Sequence, residues 1–180
     1  MLSTREYSVL QVRGWAKPGR LYALVDACDT PSVPERARSA TEHGGAERAV
    51  SLYKGRAEEE LWAIAPYLFA VDEPTFDWIT SELWSTPWGC LILSDAPVEE
   101  LRVHFRRFLT IKTPAGEHWY FRFYDPRVLR AYLATCTDDE ITSFLGPVRA
   151  IGLTNPESYG VTVYSVASPV ARAAPSVAVV

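Results

Sequence analysis

Cysteine and histidine are scarce in this 180-residue chain, three of each. Cys28, Cys90 and Cys136 are odd in number, lie far apart and form no CxxC, which argues for reduced thiols and against a disulfide or zinc framework. His43, His104 and His118 fall in a glycine turn, on a basic helix face and in a hairpin. No P-loop, GxGxxG, GxSxG or HExxH string occurs, so phosphate-cradling, nucleophile-elbow and zincin chemistry have no motif to rest on. Apolar runs stay short of the roughly eighteen residues that suggest a membrane helix. The first residues lack the basic start and apolar centre of a signal peptide. The expectation is a soluble protein of the reducing cytosol, with no cofactor and no metal.

What is present is an ordinary globular composition, 48% hydrophobic and 22% charged. One domain is expected over residues 20–166, preceded by an N-terminal arm or strand at 1–19 and followed by a flexible tail at 167–180. Net charge is −4, but it is unevenly spread. Residues 26–82 hold twelve acids against five bases, net −7; residues 98–130 hold seven bases against four acids, net +3. Such a split favours docking to charged protein surfaces, while the overall acidity works against nucleic acid as the main partner.

Apolar runs bounded by turn residues mark strands at 20–27, 49–53, 67–71 and 88–93, with closing strands at 148–153 and 160–166. Helical spacing marks Pro34 to Glu42 after a Ser32-x-x-Glu35 capping box, Ala57 to Ala65, and Pro74 to Trp84. Ser94-Asp95-Ala96-Pro97 starts another helix, with Val98, Leu101, Phe105 and Phe108 inward. Thr137-x-x-Glu140 caps a short helix carrying Ile141, Phe144 and Leu145. The predicted class is α/β: a mixed sheet with helices packed on it, a late β-hairpin around Pro114 to Glu117, and a short C-terminal helical piece.

The most informative stretch is Phe121-Arg122-Phe123-Tyr124-Asp125-Pro126-Arg127. Trp119, Phe121 and Phe123 alternate with Tyr120, Arg122 and Tyr124, the period of a strand. Asp125 before Pro126 is a helix start: the carboxylate accepts from first-turn N–H groups, and proline gives up a donor that would be orphaned anyway. Val128, Leu129, Tyr132 and Leu133 supply that helix's apolar stripe. Arg122 and Arg127 are expected to pair with carboxylates of the acidic half, Arg122 partly buried beneath the sheet. Arg102, Arg106, Arg107 and His104 read as a solvated face paired with Glu99 and Glu100, rather than a nucleic-acid surface.

Two catalytic arrangements can be drawn from these residues. One sets Cys90 with His118 and Asp125; a thiol in an apolar run is more often buried and inert. The other uses Asp26, Asp29 and Asp95 at strand ends to hold a metal or phosphate, although caps and turns explain the same residues. A small hydrolase is therefore the alternative to a binding protein, and an immunity-like toxin binder is a third reading.

Leu21 to Ala27, Ala65-Pro66-Tyr67-Leu68, Trp88 to Ser94, the Leu101 to Phe108 helix and above all the 121–127 string together resemble the bacterial type VI secretion adaptor family, also called effector chaperones. The resemblance spans about residues 20–150. It implies a non-enzymatic loading factor, without cofactor, whose partners are an effector toxin and the VgrG spike protein and which is not itself secreted. Many members carry a longer C-terminal helical lobe. On this view Arg122, Tyr124, Arg127 and Arg130 are partner-contact candidates, while Asp125 and Pro126 set the strand-to-helix geometry.

Overall fold

Strand β2, Leu21–Asp26, is buried along its whole length, and the computed structural model, which describes residues 2–17, 19–45, 48–112 and 115–166, builds outward from it. A strand with no solvent face needs cover on both sides, so its run of apolar residues does not alternate. β4, Pro66–Ala70, and β5, Gly89–Ser94, flank it, and β4 is equally enclosed. β3, Ala49–Ser51, forms one edge; β8, Val148–Asn155, β9, Gly160–Val166, and β1, Leu2–Ser8, extend the other side in the order β1-β9-β8-β5-β2-β4-β3. A separate hairpin joins β6, Thr110–Lys112, to β7, His118–Tyr120. The α/β class is as expected, but every pairing among the described residues is antiparallel, where mixed directions were expected. Strand–helix alternation brings β2 and β3 into the same direction, as it does β4 and β5. In each case an antiparallel strand lies between them, so parallel strands are never neighbours.

Register divides the helices between two faces. Leu21, Ala23 and Val25 share one face with Leu91, Leu93, Phe69 and Tyr67. Val12, from α1 at Val9–Arg13, and Trp15 cover that face. So does Trp78, at the end of α4, Glu73–Trp78, whose ring lies 5.4 Å from Phe69. Arg36 of α2, Ser32–Gly44, stands over the same indole at 4.6 Å. The other face, with Tyr22, Leu24 and Asp26, receives everything from α5, Val98–Arg106, through α6, Pro126–Thr135, to α7, Asp138–Leu145. There Phe105, Phe108, Phe121, Phe123, Tyr132 and Phe144 form a net of edge and stacked ring contacts, with centroids 5.0 to 6.4 Å apart.

Several local expectations change. The Ala57 to Ala65 helix is α3, Arg56–Glu60, followed by a separate 3₁₀ turn at Trp62–Ile64, leaving Leu61, Trp62 and Ile64 exposed. The Pro74 to Trp84 helix starts on an Asp72 cap and finishes as a π-turn over Ile79–Leu83. Ser32 caps nothing, because it is the first residue of α2 and the N-cap position falls on Pro31, which makes no side-chain cap. The Thr137 to Glu140 capping box forms as read. Asp95 pairs with Arg149 instead of starting α5, whose N-cap is Pro97. The predicted tail at 167–180 lies outside the described residues.

His104 is buried rather than solvated, its Nε2 2.7 Å from the Phe144 carbonyl between the Phe105 and Phe108 rings. Burial holds its pKa below the usual value, against the opposite pull of that hydrogen bond. The unfolded chain therefore takes up the proton first. Stability from the neutral ring is full above the unfolded value near pH 6.5 and declines as pH falls below it. Urea midpoints at about pH 7.5 and about pH 5.5 should thus drop further for the native chain than for His104→Gln; equal drops would rule this out. Gly89 lies against β2 at φ +149°, where an added Cβ would come within 2.0 Å of the Leu24 carbonyl oxygen. Gly89→Ala should cost about 3 kcal/mol or more in denaturant unfolding.

Candidate functional site

Strand β7 stops at Tyr120, so the period read through Tyr124 is not a strand throughout. Phe121 N–H still donates to the Leu109 carbonyl, and the chain then turns, with Asp125 N–H reaching the Arg122 carbonyl at 3.0 Å. Phe121 and Phe123 both enter the aromatic net. Asp125 then caps α6 as read, accepting from the Arg127 N–H at 2.8 Å with Pro126 in the first turn. Asp125 also accepts from the Arg127 guanidinium at 2.6 to 3.2 Å. Burial works to raise this carboxyl, but the Arg127 bonds outweigh it and hold its pKa below the usual carboxylate value.

Arg122 crosses to the sheet. Its Nη2 donates to Asp26 at 2.5 Å, ninety-six positions away in the chain, and its pKa is raised chiefly by that bond. The Asp26 side chain is 7% exposed, that of Arg122 40%. Asp26 also accepts from the Cys28 N–H. The expected pairing with the acidic half is met for Arg122, whereas Arg127 is held by its neighbour Asp125. Tyr124 does not reach the surface: it is 2% exposed, under the Arg122 guanidinium and beside Phe123. It supports the surface from beneath and does not present a contact. Arg127 and Arg130 are exposed.

Between the turn after β2 and the start of α6 lies a cleft of about 150 Å³, lined by Asp26, Asp29, Thr30, Thr86, Pro87, Trp88 and Arg127. The structure thus joins Asp26 and Asp29, which were read together, with Arg127 and Trp88; Trp88 was read only as strand. Asp95 is elsewhere, paired with Arg149. No group of three or more metal-ligating side chains forms among the described residues. Cys90 is buried in β5, where burial pushes its thiol up to about 12, far from the thiolate a nucleophile needs. His118 stands on the exposed hairpin, and Asp125 is committed to α6. Arg102 also leaves the solvated face assigned to it. It donates to the carbonyls of Ser51 and Tyr53 and to Glu58, closing the β3 edge.

With this geometry in view, the family described as a domain of unknown function, DUF4123, matches residues 21–143. The chain belongs to that family, which is one of type VI secretion adaptors. No curated protein and no solved structure matches the chain. No helix among the described residues is long and apolar enough to cross a membrane.

The ion pairs generate measurable consequences. Arg122→Met should cost about 2 kcal/mol, because it strands a buried carboxylate while the half-exposed arginine tempers the loss. The Asp26→Asn and Arg122→Met double variant should lose less than the two singles added, and strict additivity in urea titrations would mean the pair contributes nothing. Asp125→Ala should also cost about 2 kcal/mol, more than a helix cap alone, since it removes the cap and the Arg127 contacts together. Native-state iodoacetamide should label the exposed Cys28 and spare Cys90, read by peptide mass.

Proposed function

We propose that this chain is a loading factor that binds an effector toxin and helps place it on the VgrG spike, acting through protein–protein contacts without catalysis. The family supports this reading, and one observation carries it to a surface. Ile111 and Trp119 sit directly opposite each other on the β6–β7 hairpin, 43% and 58% exposed. Tyr120, next along the strand, lies 6.0 Å from the Tyr53 ring, so alternation turns Ile111 and Trp119 away from the body. An exposed aromatic–aliphatic pair on a two-stranded hairpin contributes little to the core, and such apolar surface is characteristic of contact sites. Arg127 and Arg130 follow within the same basic segment, as exposed charges that steer an acidic partner and set the salt dependence of its association.

The small-hydrolase alternative loses support from the burial and raised pKa of Cys90. The test is co-expression of the tagged chain with the products of its neighbouring effector and spike genes. The native chain should retain a partner, and the Ile111→Ser, Trp119→Ser double variant should weaken that retention by about tenfold or more while its circular dichroism stays unchanged. A folded chain that retains neither product ends the reading.

A further inference from the structure

A run of apolar side chains stands exposed between α3 and β4. Leu61, Trp62 and Ile64 are 43%, 41% and 44% exposed, and Ala63 among them is exposed as well. The segment is held in place. The Tyr67 hydroxyl donates to the Trp62 carbonyl at 2.8 Å, the Ile64 N–H donates to the Leu61 carbonyl at 3.0 Å, and the Arg38 guanidinium of α2 lies 5.2 Å from the Trp62 ring centroid. Single apolar residues scattered over a surface are ordinary, whereas a contiguous apolar run on it marks a contact site.

The rim of this patch is acidic. On α2, Glu35 and Glu42 lie three residues before and four residues after Arg38, so all three share the helix face that meets Trp62. On α3, Glu58, Glu59 and Glu60 lead into the patch. Each base beside it has a partner: Arg38 lies over Trp62, and Arg56 pairs with Glu60 at 2.7 Å. Lys54 precedes α3 at its other end. Glu58 meets Arg102, while Glu35, Glu42 and Glu59 are exposed and form no ion pair or hydrogen bond among the described residues.

An acidic partner would be repelled by this rim, and a second copy docked about a two-fold axis would set rim against rim. A basic segment meets complementary charge. Strand addition is not open here, because Arg102 occupies the Ser51 and Tyr53 carbonyls at the β3 edge. The contact is therefore made by side chains, as when an amphipathic helix lays its apolar stripe on a hydrophobic surface.

We propose that Leu61, Trp62 and Ile64 form a second docking surface, distinct from the hairpin, for a basic amphipathic helix of a partner protein. Its apolar stripe lies on these three side chains, and its lysines or arginines face Glu35, Glu42 and Glu59. The identity of that partner rests on the loading-factor reading; the chemistry of the surface does not.

The probe is a dye-labelled synthetic peptide of leucine and lysine, about eighteen residues long with leucines at helical spacing, titrated with the full-length chain and read by fluorescence anisotropy. Comparison peptides replace every lysine by glutamate or every leucine by serine. The leucine–lysine peptide should bind along a saturating curve, with the other two at least about tenfold weaker. Leu61→Ser with Ile64→Ser should weaken it about tenfold, and Glu35→Gln, Glu42→Gln and Glu59→Gln together at least about fivefold, more at low salt than at high. Ile111→Ser with Trp119→Ser should leave it unchanged. The charge variant alters only exposed side chains without partners, so it decides the question if the apolar variant loses its circular dichroism. No saturation, equal binding of either comparison peptide, an unchanged curve in the charge variant or in a folded apolar variant, or a loss in the hairpin variant overturns the surface. So does a dimer, seen in light scattering, that Leu61→Ser with Ile64→Ser dissolves. Failure of the loading-factor reading looks different. There the native chain retains no partner in co-expression while the peptide response persists.

Discussion

Asp26 ends the most deeply enclosed strand of the sheet with a carboxylate that has almost no access to water. Taking such a charge out of solvent costs several kcal/mol unless a cation and hydrogen bonds meet it. Arg122, from the other half of the chain, supplies that cation. Bringing the guanidinium down to Asp26 requires the backbone to leave β7 after Tyr120 and turn. Phe121 and Phe123 flank Arg122 and enter the aromatic net, and Asp125 after them starts α6. The start of α6 and Arg127, which borders the cleft, lie directly downstream of this turn.

The same arrangement separates support from presentation. One face of the sheet is covered by elements from the first half of the chain, the other by α5, α6 and α7 with the hairpin between them. Groups that touch a partner cannot also be fully consumed by the fold. Tyr124, Arg102 and His104 are consumed, by ring packing, by strand-edge carbonyls and by the end of α7. Ile111, Trp119, Arg127 and Arg130 are not. The fold keeps the two kinds of group apart: a packed layer, and a few apolar and charged side chains left outward.

Local rules explain which parts were legible in advance. β2, β4 and β5 announced themselves because strands covered on both faces must be apolar without interruption. The Asp125 and Thr137 caps were legible because their donors and acceptors lie within three residues of one another. The pairing of Arg122 with the acidic half could be anticipated as a kind of interaction, although its partner lies ninety-six positions away. Strand directions were misread because alternation of helices and strands does not say which strand inserts between two others. The alternation from Trp119 to Tyr124 was read as a continuous strand, since aromatic periodicity cannot distinguish two faces of a sheet from two sides of a turn.

The chain's own order of residues determined its elements, its two-sided sheet and the start of α6, because each depends on side chains a few positions apart and on whether they are apolar. The tertiary structure decided which polar side chains remain available. Burial and pairing depend on what distant segments bring into contact. They enclosed Tyr124 and His104, turned Arg102 to the β3 edge, and left Arg127 and Arg130 outward.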